Sequence, residues 1–249
     1  MGEKIDWHDR FTHQLKWTKS FRERIYKKLN FGKLTNLLEI GCGTGALLLE
    51  IGSKFNLKLH GIDVNAARIN AANQNLKKKK IRANLYTMDI KKNSFKDATF
   101  DVIVCNLVFL WMDELDIVFQ EIHRILKRNG FLIIFCEPDY GGLIEYPDTG
   151  LKSALIKNLR ELGADPEIAR KLGSYFCQND QFSLFDQYII SVPWISISDE
   201  MKNNMLKELS FFDQILEIGT FNRDKMKHAI KQGSYFLFNP AFSFILSKK

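Results

Sequence analysis

The sequence predicts an α/β fold, a mostly parallel sheet of seven strands with helices on both faces, and three observations carry that expectation. First, Leu37 to Ile51 reads as strand, turn and helix: an apolar run (Leu37, Leu38, Ile40) enters a turn bearing Gly41, Gly43 and Gly45, and Leu47, Leu48 and Ile51 leave it at helical spacing. Second, short apolar strands alternate with amphipathic helices from there to about residue 137, the pattern of a parallel sheet with crossover helices. Third, two of those strands end on acids, Asp63 and Asp89, at the sheet edge where α/β proteins bind ligands.

Composition narrows the class. At 249 residues, 45% hydrophobic and 26% charged, the chain is long enough for one generous core, and residues 1–249 are expected to form one domain. No apolar run approaches the ~20 residues that span a bilayer, and Met1-Gly-Glu-Lys-Ile-Asp6 is too polar for a secretion signal, so a cytoplasmic location is expected. Cys42, Cys105, Cys136 and Cys177 lack Cys-x-x-Cys spacing and read as buried thiols; the five histidines show no metal-ligand spacing, so no metal is expected. The net charge of +7 raises the question of an acidic partner, but Lys77 to Lys80 alone supply four of those charges.

In chain order, residues 1–30 place Trp7, Phe11, Leu15, Trp17, Phe21, Ile25 and Leu29 along one helical face, and Ser20 with Glu23 reads as a capping box dividing two helices. In the turn after the first strand, glycines let the backbone bend sharply and approach a ligand, while the free N–H groups of the helix start near Ala46 face an anion. The spacing Gly41-x-Gly43-x-x-Ala46 also fits a dinucleotide fingerprint. Glu39 separates the readings, because an acid two positions before the first glycine suits a ligand with a cationic amino-acid end.

The string Glu39-Ile-Gly-Cys-Gly-Thr-Gly45 resembles motif I of the class I S-adenosylmethionine (SAM)-dependent methyltransferases. The resemblance implies a Rossmann-like sheet, SAM as cofactor and S-adenosylhomocysteine as product. Glu39, Gly41, Cys42, Gly43 and Gly45 would then belong to the cofactor site. It also implies that residues 1–30 fold over the cofactor as a lid, with Gln14, Trp17 and Thr18 in the pocket.

A helix over about 44–54 leads to a second strand, Leu57 to Asp63. A carboxylate there can accept hydrogen bonds from both ribose hydroxyls, and Asp63 has that position, with Val64 beside it. The same acid also suits the cap of the helix that follows, from about Asn65 to Lys79. The third strand, from Ala83, ends at Asp89, where the family places an acid on the adenine amino group and Ile90 supplies the neighbouring N–H. The fourth strand, Phe100 to Cys105, is apolar throughout, as a strand buried on both faces should be. After it, the resemblance puts the amino end of SAM against Asn106 and Leu107. Asn106-Leu-Val-Phe109 lacks the paired prolines of the amino-group methylases of nucleic-acid bases, so methylation of a base or of glutamine is not expected.

A helix over about 113–127 is expected to stop at Lys127-Arg-Asn-Gly130, before a fifth strand from Phe131 to Cys136. Residues 35–137 resemble the quinone-biosynthesis and trans-aconitate groups of the family. The loop from Glu137 to Gly142 follows, and Glu137, Asp139 and Tyr140 are the groups expected to meet a substrate. Residues 138–180 resemble a helical insertion that roofs the acceptor site, with one helix over Leu151 to Leu162 and another opened by Asp165-Pro166. Residues 181–249 are expected to supply the sixth strand (Phe182 to Trp194), helices over 199–217 and 222–232, and the seventh strand (Asn239 to Leu246).

The function these readings point to is methyl transfer from SAM to a small-molecule acceptor. The sulfonium carbon is already activated, so orientation in a dry site is the main task and is worth on the order of 7–11 kcal/mol when ideal. An oxygen or carbon acceptor would call for a base, with His8, His13, Glu137 and Tyr140 as candidates. Trp17, Trp111 and Tyr140 offer ring faces to a sulfonium. A nucleic-acid partner is not expected; an RNA or protein methyltransferase and a non-catalytic SAM-binding protein are the rival readings. The sequence leaves the acceptor and the oligomeric state open.

Overall fold

The computed structural model describes residues 5–178, 180–190 and 194–249; the first four residues of the expected lid and residues 191–193 of the expected sixth strand lie outside them. Two helices open the chain, α1 (Trp7–Trp17) and α2 (Lys19–Lys28). Asp6 caps α1 by accepting from the N–H groups of His8 and Asp9. The expected Ser20–Glu23 capping box does not form. Ser20 is already helical, the break falls at Thr18 without a side-chain cap, and the Glu23 carboxylate accepts instead from Lys54 at 2.7 Å.

The alternating part follows as β1 (Asn36–Ile40), α3 (Ala46–Lys54), β2 (Lys58–Asp63), α4 (Ala66–Lys78), β3 (Ala83–Thr87), β4 (Phe100–Cys105), α5 (Leu115–Ile125) and β5 (Leu126–Pro138). The rest comprises β6 (Ile144–Tyr146), α6 (Leu151–Glu161), α7 (Ile168–Gln178), β7 (Phe182–Ile190), β8 (Trp194–Ile195), α8 (Asp199–Ile215), α9 (Arg223–Gln232), β9 (Phe236–Phe238) and β10 (Ala241–Lys248). The main sheet has the order β3-β2-β1-β4-β5-β10-β7. Its first five strands run parallel, and β10 is antiparallel to both neighbours. This is the expected seven-stranded, mostly parallel Rossmann-like sheet.

Alternation along the strands builds two apolar layers. Leu38, Ile40, Ile103 and Cys105 face α5 and α7, whose Phe119, Ile122 and Leu172 are fully buried. Leu37, Val102 and Val104 point the other way, onto Phe21 and Ile25 of α2 and Leu48 and Ile51 of α3. Each such side chain contributes roughly 1.5–3 kcal/mol before chain entropy is counted. A third cluster gathers α6, α8, α9 and β9.

Four further expectations change. Helix α5 ends at Ile125, and Lys127-Arg-Asn-Gly130 is a bulge at the start of β5: Phe100 pairs with Leu126, but Val102 pairs with Phe131. Asn129, at φ +61°, absorbs the extra residues, while Lys127 pairs with Asp101 at 2.7 Å. Helix α7 starts at Ile168, because Asp165 closes a turn through the Glu167 N–H and donates its own N–H to the Leu110 carbonyl at 2.7 Å. Trp194 leaves the sixth strand for a second, antiparallel sheet, β6-β9-β8, which brings together short segments far apart in the chain. Cys177 is exposed and Cys136 only partly buried, although Cys42 and Cys105 are buried as expected.

Candidate active site

The site forms at the carboxyl edge of β1, β2 and β4, where the glycine turn rises between sheet and helix. Gly41 (φ +69°) and Gly43 (φ +51°) adopt left-handed backbone, and a methyl group on Gly41 would overlap the side chain of Val108. At Gly43 an added carbon would meet the Phe11 ring of α1 at 3.1 Å, so the first helix lies directly over the turn. Asp63 fastens the turn from below: one carboxylate oxygen accepts the Gly43 N–H and the other the Asn65 N–H, each at 2.9 Å. Two of its roughly four lone-pair positions stay available. Asn65, not Asp63, caps α4. His8 of α1 meets the Thr44 hydroxyl at 2.8 Å.

Above the turn lies a cavity of about 440 Å³ bounded by Glu39, Gly41, Cys42, Gly43, Asp63, Asn106 and Leu107 from the sheet edge. Trp7, Phe11, Gln14 and Leu15 of α1 close it from one side, and Leu155 of α6 with Phe211 and Phe212 of α8 from the other. A smaller chamber of about 120 Å³ adjoins it, sharing Arg10, Gln14, Asn106, Leu107 and Tyr140 as a common wall. The size and the few polar groups among apolar walls suit a small-molecule site.

Three polar atoms of residues lining this cavity are buried without a partner: the acceptors Oε2 of Glu39 and Oδ1 of Asn106, and the donor Nε of Arg10. Burial and the nearby Asp63 carboxylate push the Glu39 carboxyl well above the usual range. A ligand ammonium would supply the missing donor and reverse that shift. These unpaired acceptors, a turn open to close backbone approach and the spare capacity of Asp63 fit SAM: Glu39 and Asn106 for its amino-acid end, Asp63 for its ribose.

The loop after β4 is organised by a group that the sequence assigns to the substrate. Glu137 is fully buried on β5, and its carboxylate accepts the N–H groups of Val108 at 3.3 Å and Leu110 at 2.9 Å. Leu107 is held in left-handed backbone (φ +56°), a conformation that costs a non-glycine residue roughly 1–2 kcal/mol, with its N–H donated to the Cys136 carbonyl. Glu137 thus shapes the loop and lines neither cavity. Asp139 is also buried away from both, pairing with Arg170 at 2.7 Å.

The other expected residues divide clearly. Gln14, Trp17, Thr18 and Tyr140 line the smaller chamber, and Trp111, half exposed, lines the larger. Gly45 stands behind the turn as the cap of α3. Val64, Asp89 and Ile90 lie at the carboxyl ends of β2 and β3 outside the cavity lining; Val64 is 71% exposed, and Asp89 accepts from the Lys91 N–H. Of the four candidate bases only Tyr140 reaches the cavities, and burial pushes its phenol up to about 12, so it stays protonated at neutral pH. His13 lies beside Glu208 at 3.5 Å with its pKa lowered by burial. Among the described residues, no three His, Cys, Asp or Glu side chains stand close enough to hold a metal.

Sequence reading missed Arg10, Glu208 and Phe211, and placed Phe11 only on the apolar face of the expected lid. The missed signal was a charge on an apolar stripe: Glu208 lies between Met205, Leu209 and Phe212 on the buried face of α8.

A glycine turn, acids near the carboxyl ends of β1 and β2 (Glu39 and Asp63) and a seven-stranded sheet of this order make a Rossmann-like α/β fold with a ligand site at its carboxyl edge. Residues 38–134 match the family described as a methyltransferase domain. That match supports a class I SAM-dependent methyltransferase. Among curated proteins it is similar to a sterol 4-C-methyltransferase from Caenorhabditis elegans, 32% identical over 119 residues covering 47% of this chain and 35% of that protein. It is also similar to a malonyl-[acyl-carrier protein] O-methyltransferase from Legionella pneumophila, 28% identical with 50% and 45% covered. These matches span between a third and a half of the relatives' length. Among solved structures, a Galdieria sulphuraria protein assigned as a sarcosine dimethylglycine methyltransferase aligns over 100% of this chain and 92% of that one, with a TM-score of 0.63 at 13% identity. A geranyl diphosphate methyltransferase in complex with SAM aligns over 86% and 78%, with a TM-score of 0.55 at 14% identity. Those structures share the fold.

Proposed function

We propose that this protein transfers a methyl group from SAM to a small-molecule acceptor. The observation that carries the reading is the two-chambered cavity above the glycine turn, where the unpaired Glu39 and Asn106 acceptors meet a chamber with Trp17, Tyr140, Trp194 and Phe212 in its wall. Bound SAM supplies the activated methyl group. Glu39, Asp63 and Asn106 hold it, the Glu137-anchored loop fixes the position of Asn106, and α1 with α6 and α8 excludes water. A protonated Tyr140 at the common wall orients the acceptor by donating a hydrogen bond.

Residues 1–249 are read as one methyltransferase domain, with 1–30 as lid, 35–137 as the SAM-binding core, 138–180 as the substrate-side insertion and 181–249 as the strands and helices that complete the sheet and roof. Among the described residues no helix is long and apolar enough to cross a membrane. The four free thiols support a reducing, cytoplasmic setting. No nucleic-acid partner belongs to this reading.

Calorimetry with SAM, S-adenosylhomocysteine and NAD, followed by a screen of metabolite acceptors with labelled SAM, tests the proposal. Asp63→Ala is expected to weaken SAM binding at least about tenfold, the scale of a lost charge-assisted hydrogen bond. Tighter binding of NAD, or undiminished SAM binding by the variant, would overturn the cofactor assignment. Binding without turnover on any acceptor would favour a non-catalytic SAM-binding protein.

A further inference from the structure

Among the described residues, Arg10 and Arg68 are the cations that line the two chambers, and of these Arg10 alone reaches the smaller one. It belongs to α1, lines both chambers, and its side chain is only 11% exposed. Its plane is clamped on three sides. The guanidinium carbon lies 3.7 Å from the ring centre of Phe211 and 5.3 Å from that of Trp17, and Nη1 donates to Glu208 at 2.5 Å. Its Nε is buried and meets no acceptor. A guanidinium held between two rings is pre-oriented, and a buried N–H without a partner is expensive to leave unmade.

The surroundings specify the missing partner. Glu208 already faces Arg10 and, at 3.5 Å, His13, so its charge is answered within the protein and an amine ligand finds no free carboxylate there. Arg10 retains unused donors and calls for an anion. Asn239 lines the same chamber with its side-chain oxygen buried and unpaired, and rotation of that amide turns its NH₂ group inward. Gln14, Thr18, Asn106 and Tyr140 add neutral polar groups, and the remaining wall is mostly apolar (Leu143, Leu155, Trp194, Phe212, Leu237). Among the described residues this chamber has no second cation. Two of the three side chains that clamp Arg10 favour the acceptor over the cofactor: Trp17 and Glu208 line only the smaller chamber, while Phe211 lines the larger one.

We propose that the methyl acceptor is an apolar molecule carrying one carboxylate, which Arg10 anchors through its free guanidinium edge with Asn239 beside it. This rests on the methyltransferase reading above and names its substrate class. Arg10 is a specificity residue, and the carboxylate is the acceptor's handle.

The test measures binding to the protein saturated with S-adenosylhomocysteine, using octanoate, phenylacetate and indole-3-acetate, each against its primary amide. At least one acid is expected to bind ten times or more tightly than its amide, and Arg10→Met should abolish that preference while changing S-adenosylhomocysteine affinity by less than about threefold. Glu208→Gln leaves Arg10 intact and removes its internal competitor. It should tighten binding of the acid, and it serves as the second test should Arg10→Met fold poorly. Equal binding of acids and amides, or no binding of either, would overturn the assignment, as would weaker acid binding in Glu208→Gln. A large loss of S-adenosylhomocysteine affinity in Arg10→Met would give Arg10 to the cofactor's own carboxylate. If the parent failed to bind S-adenosylhomocysteine, the underlying methyltransferase reading would fall, and this assignment with it.

Discussion

Glu137 shows how one buried carboxyl can set the pH response of the molecule. Burial raises it from an ordinary 4.5 to about 7, against the opposing pull of the loop N–H groups that it accepts. A group whose pKa rises on folding holds its proton more tightly in the native state. Its stabilising contribution is therefore complete below about pH 4.5 and is lost as pH rises through about 7, a change of about 3 kcal/mol. Urea unfolding from pH 4.5 to 8 should show the parent losing stability relative to Glu137→Gln by that order. Parallel stability curves for the two proteins would show that Glu137 does not titrate in this window. The effect is structural, because the carboxyl holds the loop from Val108 to Leu110 and touches no cavity.

At the scale of elements, α1 and α2 have different anchors. Helix α2 is fastened by fully buried Arg22, which donates to Glu50 of α3 and, at 2.5 Å, to the Thr18 hydroxyl, while Tyr26 adds a 2.9 Å bond to Glu50. Helix α1 is anchored mainly through the site itself: Phe11 on Gly43, His8 on Thr44 and Arg10 on Glu208. A helix whose contacts are cavity walls exchanges with solvent more readily when the cavity is empty. Hydrogen exchange is expected to slow in α1 on addition of S-adenosylhomocysteine, with α2 little changed. Protection gained at the glycine turn alone would make α1 a packing element and remove its role as a lid.

For the whole molecule, the distribution of charge bears on the kind of acceptor. Lys77 to Lys80 are exposed at the end of α4, before β3 begins, on the amino edge of the sheet. At about 3.3 Å per residue, the five residues of β3 put roughly 16 Å between that edge and the cofactor edge. Replacing all four lysines with glutamine should leave turnover of a small acceptor unchanged within about twofold and stability within about 0.5 kcal/mol, since exposed charges contribute little. An RNA acceptor would respond differently, each lost phosphate contact lowering the salt slope of binding by about 0.7. A steep, salt-dependent loss of activity in this variant would favour a nucleic-acid substrate.

The sequence by itself determined the strands, the turn and the cofactor edge, because these are written in short-range patterns. Apolar runs with a period of two, helices with a period near 3.6, glycines at left-handed positions and acids at strand ends are all local. Glu39 and Asp63 were legible for that reason, and both line the cavity above the turn. Only the tertiary structure decided what local pattern does not encode. Glu137 and Asp139 sit in a loop-side position that reads as substrate-facing, yet the first turns back to bind backbone and the second pairs with Arg170. The small second sheet joins residues 144–146, 194–195 and 236–238, whose pairing depends on distant partners. Arg10 and Glu208 lie 198 positions apart and meet because α8 packs over α1. The smaller chamber is therefore a property of how the helices pack over the sheet, and its polar groups acquire their meaning only when burial removes the water that would otherwise satisfy them.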